Sequence, residues 1–189
     1  ATPIEETLRA LDDLVRDGKV RYVGCSNFAG WQLAEAEWAT RAGGTVRFIS
    51  AQNEYSLVDR RIEGDLVPAA NAYGVGILPY FPLANGLLTG KYQRNHAMPD
   101  GARMTERPTR ADEVLTDRNW TIAEKVADYA AARGHSLLEA AIGWLASQDH
   151  VPSVIAGATT AEQVAQNAAA ADWRMTAEEI ADINALSDL

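Results

Sequence analysis

The run from Tyr80 to Tyr92, YFPLANGLLTGKY, holds many of the residues in this chain whose types and spacing suit chemistry. Tyr80 offers an aromatic face on which a planar ring can stack. Asn85, Gly86 and Gly90 tolerate positive φ and let a ligand approach bare backbone, and Lys91 adds one cation. Such a turn suits a phosphate-bearing guest, although an ordinary exit from a strand into a loop accounts for it equally well. Three further short sets are rich in amide and hydroxyl groups: Ser26-Asn27, Gln52-Asn53-Glu54-Tyr55 and Gly157 to Thr160. Those groups suit hydrogen bonds to a neutral carboxamide.

No set supplies a convincing acid, base or nucleophile. The histidines, His96, His135 and His150, lie away from these sets and read as surface or capping residues. Cys25 reads as a small buried core residue rather than a nucleophile. The sequence has no HExxH, no CxxC and no carboxylate cluster that would point to a metal, and no GxGxxG of a Rossmann dinucleotide site.

The polar sets need a scaffold, and the apolar pattern predicts one. Thr2-Pro3-Ile4-Glu5 has the form of a capping box, with Thr2 as cap and Pro3 at the first helical position. Ile4, Leu8, Leu11, Leu14 and Val15 then mark one helical face, which Gly18 stops. Val20 to Cys25 predicts a strand, Trp31 to Arg41 a helix, Val46 to Ala51 a second strand and Gly64 to Tyr73 a helix. Val75, Ile77 and Leu78 form a third strand, bounded by Gly74 and by the Pro79/Pro82 pair. Gln93 to Arg118 is polar and irregular, a long surface loop of the kind that often serves as a lid. Helices follow over Thr121 to Ala132 and Ser136 to Ser147, a fourth strand over Pro152 to Ala156, and helices over Ala161 to Ala170 and from Thr176 through Leu186.

Short single apolar strands joined by helices mean a parallel sheet covered on its faces, an α/β fold, in which ligands bind at the carboxyl ends of the strands. All four polar sets fall at those ends. At 189 residues and 47% hydrophobic the chain can bury one sizeable core, so a single domain over 1–189 is expected. A net charge of -9 with no cluster of Lys or Arg argues against nucleic acid and anionic membrane as partners. The one cysteine excludes an internal disulfide and fits a reducing cytoplasm. No apolar run approaches the ~18 residues of a membrane helix. The chain opens at a helix start with no strand before it, so a preceding segment is expected.

At these strand ends the chain resembles an aldo-keto reductase. The residues that carry the likeness are TPIEETLRALDDLVRDGKVRYVGCSN, the QNEYSL of Gln52 to Leu57, the YFPLANGLLTGKY of Tyr80 to Tyr92 and the VIAGATTAEQVAQN of Val154 to Asn167. The resemblance implies a (β/α)8 TIM-type barrel, with this chain supplying about the last four β/α units and the C-terminal helix. It implies an oxidoreductase that reduces aldehydes and ketones by hydride transfer from NADPH, with NADH as the alternative. By that likeness Ser26, Asn27 and Gln52 bind the nicotinamide carboxamide and Tyr80 stacks on the ring. Phe81, Leu83, Asn85, Gly86 and Lys91 wrap the pyrophosphate, and Gly157, Thr159, Gln163, Gln166 and Asn167 hold the adenosine end. Many members place a Lys or Arg around the position of Gly157 or Gln163, where this sequence has neither. The family's catalytic Asp, Tyr, Lys and His precede the TPIEE segment, so no catalytic residue is expected here. Taken alone, the chain is then a cofactor-binding or structural half-barrel, completed by the missing N-terminal half or by a second copy.

Overall fold

Helix α1 (Ile4–Arg16) opens the first of two units into which the described residues, 2–188 of this computed structural model, gather. That unit takes the chain up to Glu54, together with Arg61–Pro79 and Asp149–Ser153. Leu8 is the buried anchor of α1, and Gly18 at φ 69 turns the chain out of it. Pro3, not Thr2, stands at the cap. Its extended ψ of 144 leaves it outside the helix, where its carbonyl accepts from the Glu6 and Thr7 amides, and no side chain caps the end.

Strand β1 (Val23–Ser26) begins three residues later than the apolar run predicts, because the amides of Lys19 and Val20 are used by the Leu14 carbonyl at the exit of α1. Helix α2 (Gly30–Gly43) follows, and its first amide donates to the Asp65 carboxylate at 2.9 Å. Strand β2 (Phe48–Glu54) extends beyond its expected end, so Gln52, Asn53 and Glu54 lie within the strand and not past it. Parallel pairing to β1, with Ser26 opposite Gln52, holds that extra length in the sheet. A short 3-10 turn (Arg61–Gly64) and helix α3 (Leu66–Tyr73) together occupy the span predicted as one helix, and lead into β3 (Gly76–Tyr80). The strand order is β1-β2-β3. Phe48, Ala51, Leu66, Ala70, Val75 and Ile77, buried to 5% exposure or less, form the core with Leu8 and Leu33. This is α/β architecture with a parallel sheet, as the pattern predicts.

The expected fourth strand is not formed as such among the described residues. Its backbone bonds are the Ile77 amide donating to the His150 carbonyl in the first unit and, in the second, a single parallel bridge of Tyr80 to Ile155. Pro152 lies between these two points and has no amide hydrogen to donate, so a continuous ladder is broken there.

The second unit takes Tyr55–Arg60, Tyr80–Gln148 and the chain from Val154 on. The predicted long loop is shorter than expected: helix α4 (Pro108–Val114), with Pro108 in its first turn, occupies part of it, and α5 (Asp117–Ala131) starts before the loop's predicted end. Between Gln93 and Arg107 the chain is anchored by buried Ala102 and Met104, and the Met104 amide donates to the Tyr92 hydroxyl oxygen at 3.2 Å. Helices α6 (Leu137–Ala146), α7 (Ala161–Ala170) and α8 (Ala177–Ser187) complete the unit. Ser136 with Glu139, and Thr176 with Glu179, form capping boxes at α6 and α8, and Thr160 caps α7. Trp144 and Ile183 are buried at the centre, and the Trp144 indole donates to Asn184 at 3.0 Å.

Candidate functional site

In the first unit the carboxyl ends of β1 and β2 bring three of the predicted residues together. The Gln52 carbonyl accepts from the Ser26 hydroxyl at 2.9 Å and from the Asn27 amide at 3.0 Å, so the two strand ends are pinned edge to edge. Asn27 sits at φ 58, a left-handed conformation that asparagine tolerates better than most residues. Ser26, Asn27 and Gln52 are all exposed residues. Asn53 has another part: it is buried, and its amide nitrogen donates to the Phe28 carbonyl at 3.2 Å, which ties the turn after β1 to β2. Burial pushes the Cys25 thiol up to about 11, partly offset by a backbone hydrogen bond, so the thiol is a core residue as predicted and a poor nucleophile.

In the second unit the turn after β3 is strained. Five non-glycine residues hold positive φ among the described residues, and three of them are Phe81, Ala84 and Asn85, at 52, 45 and 56; Gly86 and Gly90 follow at 103 and 79. Each L-residue so placed costs about 1–2 kcal/mol, a cost that persists only where surroundings enforce it. Leu87 and Leu88, 1% and 0% exposed, anchor the turn from below. The Thr89 hydroxyl donates to the Gly86 carbonyl at 2.7 Å and fixes its middle. Lys91 folds back across Gly86: a Cβ on that glycine would lie 2.8 Å from Lys91 Cε and 3.1 Å from Nζ. The backbone of the turn and one ammonium are thereby brought together.

Tyr80 and Phe81 meet edge to face at 5.2 Å, with Tyr80 half-buried and Phe81 37% exposed. Leu83 is half-buried. Asn85 does not offer its side chain outward. It is 8% exposed, and with its amide oriented to satisfy both of its polar atoms the oxygen accepts from Arg110 Nε at 3.1 Å and Nη2 at 3.3 Å. Any contact of Asn85 with a ligand therefore falls to its backbone.

Gly157 and the start of α7 form a separate exposed patch in this unit. Gln163 Oε1 accepts from the Thr159 amide at 2.8 Å and its hydroxyl at 3.1 Å; Asn167 donates to the Gly157 carbonyl at 3.4 Å; Gln166 donates to Glu162 at 3.3 Å. Thr159, Gln163 and Asn167 thus hold the turn's shape, while Gln166 pairs within α7. The sequence reading finds no cation here, yet the structure brings one from the loop before α4: Arg103 Nη2 lies 3.9 Å from where a Cβ would sit on Gly157. Only a folded loop can show that neighbour, since no local motif joins the two positions.

The three histidines make other contacts. His96 bonds the Arg94 carbonyl, and His135 stacks on Trp173 at 3.8 Å and pairs with Glu139. His150 lines a cavity of about 260 Å³ beside Asn71, Gly76 and Pro152, at the start of β3. Burial lowers its pKa, opposed by the Glu63 and Asp149 carboxylates. Among the described residues no group of three His, Cys, Asp or Glu could hold a metal ion, and no helix is long and apolar enough to cross a membrane.

Comparison with known proteins bears on these residues as a set. The family model described as Aldo/keto reductase family matches residues 1–188. The chain is 32% identical over 183 residues to a Bacillus subtilis protein named Uncharacterized oxidoreductase YrpG, covering 97% of this chain and 54% of that protein. It is 35% identical over 173 residues to a probable voltage-gated potassium channel subunit beta of Oryza sativa subsp. japonica, covering 90% and 53%. Similarity to human aflatoxin B1 aldehyde reductase member 4 reaches 33% over 188 residues, covering 91% and 56%. The chain spans about half the length of the curated relatives it matches.

Proposed function

Because this chain belongs to the aldo/keto reductase family, we propose that it is the cofactor-holding part of an NAD(P)H-dependent oxidoreductase that reduces aldehydes and ketones to alcohols. The observation that carries the reading is the turn after β3, where left-handed residues, glycines and a folded-back Lys91 are gathered in one place. Strain of that kind has a use when it aims backbone amides at a ligand. The residues present fit a nicotinamide dinucleotide. Such a cofactor, when bound, supplies the hydride for carbonyl reduction.

The chain's own residues bind and orient. Ser26, Asn27 and Gln52 would hydrogen-bond the carboxamide, and Tyr80 would stack on the ring and orient it. Phe81, Leu83, the backbone of Asn85 and Gly86, and Lys91 hold the pyrophosphate. Gly157, Thr159, Gln163, Gln166 and Asn167 hold the adenosine end, with Arg103 as the cation for a 2′-phosphate, so NADP is favoured over NAD. The proton donor to the carbonyl, and the groups that tune it, come from outside these residues.

We read the fold as the last four β/α units of a (β/α)8 barrel, a single functional domain. In the first unit Val20, Tyr22 and Ile49 are 37%, 71% and 43% exposed around strand β1, which has one partner in the sheet; in the second, Val164 of α7 is 59% exposed. An upstream half of the barrel, or a second copy of this chain, would cover those surfaces. With the net negative charge, a cytoplasmic protein that meets small carbonyl compounds, not nucleic acid or anionic membrane, fits best.

Similarity to a potassium channel subunit beta favours a second reading, in which the dinucleotide is bound by a non-catalytic module. Fluorescence titration tests the shared premise: NADPH should quench tryptophan emission of the full chain, and Tyr80→Ala should weaken binding by up to roughly tenfold, from loss of about 0.5–1.5 kcal/mol of ring stacking. Equal affinity in the variant removes Tyr80 from the role, and absence of any binding sinks the proposal. Carbonyl-dependent oxidation of NADPH separates the enzyme from the module.

A further inference from the structure

Arg110 belongs to none of the motifs, yet it reaches two of the strained residues at once. From α4 its guanidinium carbon stands 5.5 Å from the centroid of the Phe81 ring, and the Asn85 side-chain oxygen accepts from its Nε at 3.1 Å and Nη2 at 3.3 Å. Its Nη1 donates to Glu113 at 2.8 Å, so the fork is held from behind. Phe81 and Asn85 are both left-handed, and each would relax toward ordinary backbone if nothing restrained it. The helix that presents Arg110 is itself fixed, since Ala111 and Val114 are 4% and 7% exposed.

We infer that Arg110 is a positioning residue for the dinucleotide: it keeps the turn after β3 in its strained shape by gripping Phe81 through cation–π contact and Asn85 through two N–H···O bonds that converge on its side-chain oxygen. The inference rests on the reading of that turn as a cofactor cradle. Arg110 acts through those two residues and does not itself hold the ligand. A planar guanidinium is needed for the task. A lysine keeps the charge over Phe81 and loses the two-pronged grip on Asn85.

The test uses the full chain as wild type, Arg110→Ala, Arg110→Lys, Asn85→Ala and the Arg110→Ala/Asn85→Ala double variant, with two readouts. Hydrogen exchange in the free protein reports the turn, whose Gly86 and Leu88 amides both bond the Leu83 carbonyl. NADPH titration reports the cradle. Arg110→Ala should raise exchange at those two amides and weaken NADPH roughly tenfold, the scale of one lost charge-assisted hydrogen bond. Arg110→Lys should recover only part of each loss. The double variant should bind no more weakly than the worse single variant, since both break one grip. Unchanged exchange in Arg110→Ala, or additive losses in the double variant, overturns the inference. Should wild type bind no dinucleotide, the functional reading falls, while exchange still decides what Arg110 does to the turn.

Discussion

Gly86→Ala separates backbone strain from the placing of the cation. At φ 103 an alanine is strained, and its Cβ would lie 2.8 Å from Lys91 Cε, 3.1 Å from Nζ and 3.2 Å from Tyr92 Cε2. The Tyr92 ring is 4% exposed and its hydroxyl accepts from the Met104 amide, so it cannot move aside. Lys91, exposed and flexible, will. Gly90 is the control: it has φ 79 and nothing within 4 Å of its built Cβ. Both alanine variants should lose about 1–2 kcal/mol from positive φ alone, measured by urea unfolding. Only Gly86→Ala should also displace the ammonium, and with it a charge-assisted contact of about 1.5–3 kcal/mol, or a roughly ten- to hundredfold weaker Kd for NADPH by calorimetry. Equal affinity in the two variants, at equal loss of stability, would refute the idea that Lys91 folded over Gly86 forms a phosphate cradle.

Three further outcomes follow from the same coordinates. Arg103→Ala should bring the affinities for NADPH and NADH together, by about tenfold in their ratio, because Glu162 in the first turn of α7 leaves Arg103 as the main cation near Gly157; a ratio unmoved by the variant places the 2′-phosphate elsewhere. His150 has a folded pKa below its ordinary value, so the unfolded chain binds its proton first on acidification. Its contribution is full above about pH 6.5 and is lost as pH falls through the folded value, so the urea midpoint should drop in that range, and less steeply in His150→Gln. Finally, sedimentation of the 189-residue chain should show an assembly larger than 20.4 kDa, and a folded, soluble monomer at that mass would count against the second copy.

What could be read in the sequence was what local chemistry decides. Ser136-x-x-Glu139 and Thr176-x-x-Glu179 cap their helices through bonds within one turn, so the pattern alone locates them. Gly18 and Gly74 end helices for an equally local reason. The start of β1 was not legible, because it depends on which carbonyl of α1 takes the amides of Lys19 and Val20. Nor was the interruption of the fourth strand, where Pro152, with no amide hydrogen to donate, stands between His150 and Ile155. Thr2 was misplaced by a single ψ angle at Pro3.

The candidate site divides in the same way. Which residue types gather at strand ends follows from alternating elements, but which side chains point out does not. Asn85 looks in sequence like a ligand-facing amide and is instead turned inward to Arg110, while Arg103, read as part of a long, irregular, lid-like surface loop, stands beside Gly157. Both depend on α4 and the chain before it, the segment whose polarity hides buried Ala102, Met104, Ala111 and Val114. A loop without internal purpose has no reason to bury those four side chains or to hold two arginines over a strained turn and a glycine patch. Its packing is explained if its work is to set Arg103 beside the glycine patch as the cation for an anionic ligand and Arg110 against the turn as its brace.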